Sequence, residues 1–313
     1  MITQIVSKAE TLEKRITSKI WLGLGVEFSD IDTDGYVKTF SRYPQLLSYN
    51  SLLEKTQTIY EQVLVKIGPE ATELWHQLVL IRLILFNVKK IERQYPKCIE
   101  RLFYQNFMRI LAAIEKERWR SGFYLFPNDN FFKDLGVCTL RLIPAGNHKV
   151  EISAFSRSFM VKGGLGQFLD AFVQVALRAR GNSLFYQFHT DIHDQDALKE
   201  CNLKGTVKLY LRIAHLLKKQ TDIKGLFGSS WMNDPALETI SPRIFSGPML
   251  VRENGGRLYF NGIPPNIAEG ATFASPKRKR LYREGKYKPA NYMLLWLRDD
   301  LLAWANRQEP MDL

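Results

Sequence analysis

Apolar residues return at three- and four-residue steps through the first third of the chain. Leu74, Leu78, Ile81, Leu85, Val88 and Ile91 fall on one helical face, with Glu73, Gln77, Lys89, Lys90 and Arg93 elsewhere on the wheel. Pro69 suits the first turn of this helix, which the pattern carries to about Gln94. Pro96 separates it from a second helix with the stripe Ile99, Leu102, Phe103, Ile110, Leu111 and Ile114. Two more helices are expected over about residues 5–16 and 47–64. Helices joined by short connectors pack antiparallel.

From about Ser121 the texture changes to short apolar runs between glycines, prolines and aromatics. Residues 137–143 and 150–160 predict a hairpin, with Glu151, Ser153, Ser156 and Ser158 interleaved among apolar residues in its second strand. Leu165, Leu169, Phe172, Ala176 and Ala179 then mark one face of a helix. Strands are expected at 183–188, 225–228, 249–252, 257–260 and 292–297, and a helix at 206–219. The pattern predicts an α/β (α+β) protein: a helical region over 1–120, then a domain over 121–313 with a mixed sheet flanked by helices.

The chain's 313 residues allow two modest domains. Hydrophobic residues at 45% and charged residues at 24% allow an ordinary core. The net charge of +12 points to an anionic partner: nucleic acid, an acidic carrier protein, a phosphorylated cofactor or a membrane surface. The run from Leu74 to Val88 is interrupted by His76, Gln77 and Arg82, so no spanning helix is expected. Cys98, Cys138 and Cys201 lack metal spacing, and a reduced, cytoplasmic setting follows. Asp30, Asp32 and Asp34 alternate before Gly35, but no glutamate follows at the spacing a calcium loop needs. His76 sits among apolar helix positions and reads as a core histidine.

The segment from Val150 to Ala179 carries the first chemical signal. Lys162, Gly163, Gly164 and Gly166 form a glycine turn ahead of a helix, whose unpaired N–H groups favour a phosphate. Gly164-Leu165-Gly166 resembles the end of the pyrophosphate-binding segment of the GNAT acyltransferase superfamily. Val161 stands where that family has Arg or Gln, with Lys162 one residue later. The order strand, strand, glycine turn, helix, strand, helix, strand is also similar to the GNAT core. The resemblance implies a GNAT-like domain that takes an acyl thioester of coenzyme A or of acyl carrier protein and passes the acyl group to an amine. It implies that the tyrosine of a Leu-Tyr pair, here Leu209-Tyr210, protonates the departing thiolate.

Between a strand and the next helix lies His189-Thr-Asp191-Ile-His193, which the family does not ordinarily have. On an extended strand His189, Asp191 and His193 share one face. They suit a general base for an amine, a zinc, iron or manganese site, or a solvated capping loop. Trp231, Asn233 and Arg243 are candidates for the substrate wall, while Asp234 and Pro235 suit a helix start. Ser275, Pro276 and Gly285 bound a basic helix containing Lys277, Arg278, Lys279, Arg280 and Arg283. At helical spacing Lys277, Arg280 and Arg283 form one side, a dock for an acidic carrier protein or for nucleic acid. The reading favoured is an N-acyltransferase with His189, Asp191 and Tyr210 catalytic. A metal-dependent enzyme and a nucleic-acid-binding protein stay open beside it.

Overall fold

The computed structural model describes residues 1–24, 31–42, 51–116, 129–146, 148–154, 157–181, 184–190 and 202–313. The chain forms two compact units, Met1–Ala145 and Gly146–Leu313. The division falls later than the change of texture near residue 121.

The first unit holds α1 (Ile2–Leu24), α2 (Thr33–Arg42), α3 (Ser51–Gln94), α4 (Lys97–Glu115), α5 (Asp129–Cys138) and the two-residue β1 (Ile143–Pro144). Helix α1 turns Ile5, Ala9, Leu12, Ile16 and Ile20 inward against α3 and α4. The span called α3 is two helices, because Gly68 has φ 76° and Pro69 starts the second without an N–H. Of the strand expected over 137–143, residues 137 and 138 end α5, where Phe131, Leu135 and Cys138 are buried at helical spacing, and only Ile143 lies in a strand, β1. Asp32 accepts the Gly35 N–H at 2.8 Å, and Asp34 pairs with Arg82 at 2.8 Å. His76 is buried, with the rings of Phe131 at 4.5 Å and Trp75 at 5.1 Å.

The second unit runs β2 (His148–Ala154), α6 (Gly164–Phe172), β3 (Leu184–Thr190), α7 (Leu203–Lys219), β4 (Ile223–Ser230), α8 (Leu237–Ile240), α9 (Pro242–Glu253), β5 (Arg257–Gly262), α10 (Ile267–Thr272), α11 (Pro276–Arg283), β6 (Asn291–Leu297) and α12 (Arg298–Asn306). Its strands lie in the order β2-β3-β4-β6-β5. Neighbours are antiparallel except β3 and β4, which are parallel and joined through α7. This is a mixed sheet flanked by helices, as the alternation of patterns predicted.

Register assigns the faces. Phe185, Phe227, Tyr259, Met293, Leu295 and Leu297 share one face and pack with Ala171, Val175 and Ala179 from α6 and its continuation. Trp296, one residue out of phase with Leu295 and Leu297, points to the other face and meets Tyr210 of α7 and Trp304 of α12. A Cβ at Gly228 would come within 2.2 Å of the Phe188 ring, so a larger residue at this strand position would have to displace that ring. Residues 249–252, expected as a strand, are the last turn of α9, in which Phe245 and Val251 are buried. Such a short apolar run does not itself distinguish strand from helix.

Candidate active site at the carboxyl end of β3

In open sheets, ligands bind beyond the carboxyl ends of parallel strands, where the chain leaves for a crossover helix. Here that place is the end of β3 and the start of α7. His189 lies one residue before the end of β3, opposite Lys149 of β2, and Gln187 lies opposite Glu151. All four share the α6-side face with Phe185, by the two-residue strand period. His189 Nε2 and Glu151 Oε1 are 2.9 Å apart. The Glu151 side chain is only 2% exposed and that of His189 15%, so the pair is shielded from water yet next to the strand end. Lys149 is also buried.

A carboxylate on one ring nitrogen fixes the tautomer and orientation of an imidazole and faces the positive charge formed when the other nitrogen takes a proton. This is the arrangement of a positioned general base. The sequence reading named His189 but not Glu151. The interleaving of Glu151 and Ser153 is legible in the sequence, but the strand that pairs with them is not.

A second polar row continues on the same face. Ser229, in phase with Phe227 on β4, accepts a hydrogen bond from the Asn261 amide at 2.9 Å. Lys162 Nζ donates to Asn261 Oδ1 at 2.9 Å. Gln167 of α6 donates to the Phe159 and Phe260 carbonyls and accepts the Phe260 N–H. These bonds tie the glycine turn to the end of β5.

The turn itself differs from the expectation. It follows a 3-10 turn, Arg157–Val161, rather than a strand. Its helix joins β2 to β3, which are antiparallel neighbours, so α6 is not the crossover helix. Gly164 has φ 83°, and the space beside Gly164 and Gly166 is open. The helix that does start beyond β3 is α7. Asn202 caps it by accepting the Gly205 N–H at 2.9 Å, and Lys204 is exposed in its first turn.

Tyr210 is brought to a different place from His189. It is 3% exposed, edge-on to Trp296 at 5.1 Å and to Trp304 at 6.2 Å, on the opposite face of the sheet. Burial pushes its hydroxyl well above the ordinary value. The Leu-Tyr pair thus serves the core, and the expected pairing of base and acid is corrected: the sheet lies between them.

Trp231 packs against the cluster of Leu237, Phe245, Ala271 and Tyr287, under the Arg278 guanidinium at 5.1 Å. The Asn233 amide donates to the Gly228 and Tyr292 carbonyls, both at 3.1 Å. Asp234 accepts the N–H groups of Ala236 and Ala290. These residues stitch β4 to β6. Arg243 is exposed on the first turn of α9. In α11, Ser275 caps as expected, but Arg278 is buried and donates to the Ala271 carbonyl and to Ser241. Lys277, Arg280 and Arg283 remain exposed, with Lys277 donating to the Ile240 carbonyl.

Asp191 and His193 lie outside the described residues. Among the described residues no group of three or more metal-ligating side chains occurs. No described helix is long and apolar enough to cross a membrane. Comparison of the chain with protein-family models, curated proteins and solved structures finds no match.

His148, at the start of β2, gives a stability prediction. Burial, helped by the nearby His189, lowers its pKa to about 4. The unfolded chain therefore binds a proton at higher pH than the fold does. The contribution of neutral His148 is complete above about pH 6.5 and is lost as the pH falls through 4, by about 3 kcal/mol. Urea unfolding at pH 7 and pH 4.5 should show His148→Gln losing less stability on acidification than wild type. His215, whose neutral form is also favoured, keeps its own contribution.

Proposed function

We propose that the second unit transfers an acyl group from a thioester of coenzyme A, or of an acyl carrier protein, to an amine. The observation that carries this reading is the Glu151–His189 pair at the carboxyl end of β3. The amine nitrogen attacks the thioester carbonyl, the C–N bond forms, the C–S bond breaks and the thiolate leaves. The amine proton goes to His189, which Glu151 orients. The resemblance to acyltransferases supplies the donor class. The topology favours α7 over α6 as the helix that faces the donor phosphates, because α7 is the crossover between the parallel strands. The start of α7 offers the backbone N–H groups of its first turn and the Lys204 ammonium. If the donor is carried by an acidic protein, Lys277, Arg280 and Arg283 are the surface that meets it.

Calorimetry with coenzyme A tests the donor half. Lys204→Gln should weaken binding about three- to tenfold at low salt and less at high salt, while Gly166→Val on α6 leaves it unchanged. No binding by wild type, together with no thiol release from any acyl carrier donor, would remove the acyl-transfer reading. Loss with Gly166→Val and not with Lys204→Gln would return the phosphates to the glycine turn.

A further inference from the structure

The apolar face of α6 points outward. Leu165, Leu169 and Phe172 are 73%, 55% and 45% exposed, and Val161 and Leu177 at the two ends are 70% and 63% exposed. The side of the helix that packs on the sheet is made instead of Ala171, Gln174, Val175 and Ala179. From Gly163 to Leu177 the single charged residue is Asp170, and its carboxylate is turned to Tyr259 at 2.6 Å and to Arg257 at 3.5 Å. The outward stripe is therefore uncharged over about 18 Å of helix. Exposed cations bracket it: Arg157 and Lys162 before it, and Arg180 after it, beside Arg178, which pairs with Asp300 at 2.8 Å.

A contiguous exposed stripe of leucine and phenylalanine marks a surface that is covered in use. A second copy of the chain fits it poorly. Pairing two such helices, parallel or antiparallel, sets cations beside cations at both ends. The stripe is a convex helix edge, with its end residues more than three-fifths exposed, rather than a groove that grips a peptide. An apolar helix face rimmed by arginine and lysine, on a chain of net charge +12, matches an anionic bilayer surface. We infer that α6 is an interfacial membrane-binding helix, whose Leu165, Phe168, Leu169 and Phe172 enter the headgroup boundary while the flanking cations meet anionic lipid.

The test is flotation of the full chain with vesicles of phosphatidylcholine containing about one-third phosphatidylglycerol, against phosphatidylcholine alone. Wild type should float with the anionic vesicles. Pure phosphatidylcholine, or the variant Leu165→Gln/Leu169→Gln/Phe172→Gln, should reduce binding at least about tenfold. The replaced side chains are already in water, so the variant's circular dichroism and unfolding midpoint should match wild type. Val161→Gln/Leu177→Gln, at the stripe ends, is the substitute if the triple variant misfolds. Wild type that stays at the bottom of the gradient overturns the inference. So does undiminished binding by the folded variants, which would assign the effect to basic surface elsewhere. Concentration-dependent dimerisation that the variants abolish, or an acidic protein that binds the stripe when vesicles do not, also overturns it.

Discussion

Replacing Trp296 with alanine is expected to destabilise the second unit by about 3–5 kcal/mol. Trp296 is fully buried on β6, and its ring meets Tyr210 at 5.1 Å and Trp304 at 5.2 Å. It therefore joins the sheet to α7 and α12. The indole N–H also donates to the Asn254 carbonyl at 3.0 Å, and losing that bond adds about 1 kcal/mol. Domains of this size are stable by only about 5–15 kcal/mol, so the variant should unfold at much lower urea. Trp296→Phe should cost less, since most of the ring contacts survive. A loss below about 1 kcal/mol in Trp296→Ala would mean the face assigned to this strand is wrong. Tyr210→Phe belongs to the same cluster. It keeps the ring and is expected to leave turnover unchanged, whereas a general acid would be missed.

The second large effect concerns catalysis. His189→Gln should lower kcat by about 10²–10⁴-fold, the usual contribution of a positioned general base. Glu151→Gln should lower kcat by about tenfold or more, because an amide can offer its N–H to the ring nitrogen and permit the wrong tautomer. Both variants should change donor affinity little, since neither residue is assigned to the phosphates. Glu151 acts through His189, so its substitution should have almost no further effect once His189 is glutamine. Additive losses would mean that Glu151 supports the strand pair independently of the base. Unfolding curves must accompany the kinetics, because Glu151 is a buried carboxylate and its replacement alters the partner of His189.

Much of the fold was legible because it depends on local pattern. Pro69 and Pro96 bounded a helix, Ser275 and Gly285 bounded α11, and strands β3, β4, β5 and β6 were each anticipated. The errors came where one pattern served two states. Residues 249–252 are an apolar run that reads as a strand but finishes a helix, and only the first two residues of 137–143 finish one. The stripe on α6 was found, but periodicity identifies a face without saying what lies opposite it. The pattern puts Leu165, Leu169 and Phe172 on one helical face, and the close approach of helix to sheet is made by Ala171 and Ala179. Half of the candidate base was legible for the same reason. His189 stands out in sequence, but Glu151 joins it only through the antiparallel pairing of β2 with β3, 38 residues apart. Tyr210 shows the reverse case. Its place after leucine on a helix suggested chemistry, and only the register of β6 shows that it faces the tryptophans instead.

The most direct measurement is amine-dependent release of free thiol from acyl-coenzyme A and acyl carrier protein donors by wild type and His189→Ala side by side, with donor affinity measured for both. The expected result is release that requires both amine and enzyme, nearly abolished in His189→Ala with donor affinity within about twofold of wild type. Equal turnover by the two folded proteins would contradict the assignment of His189 as the base.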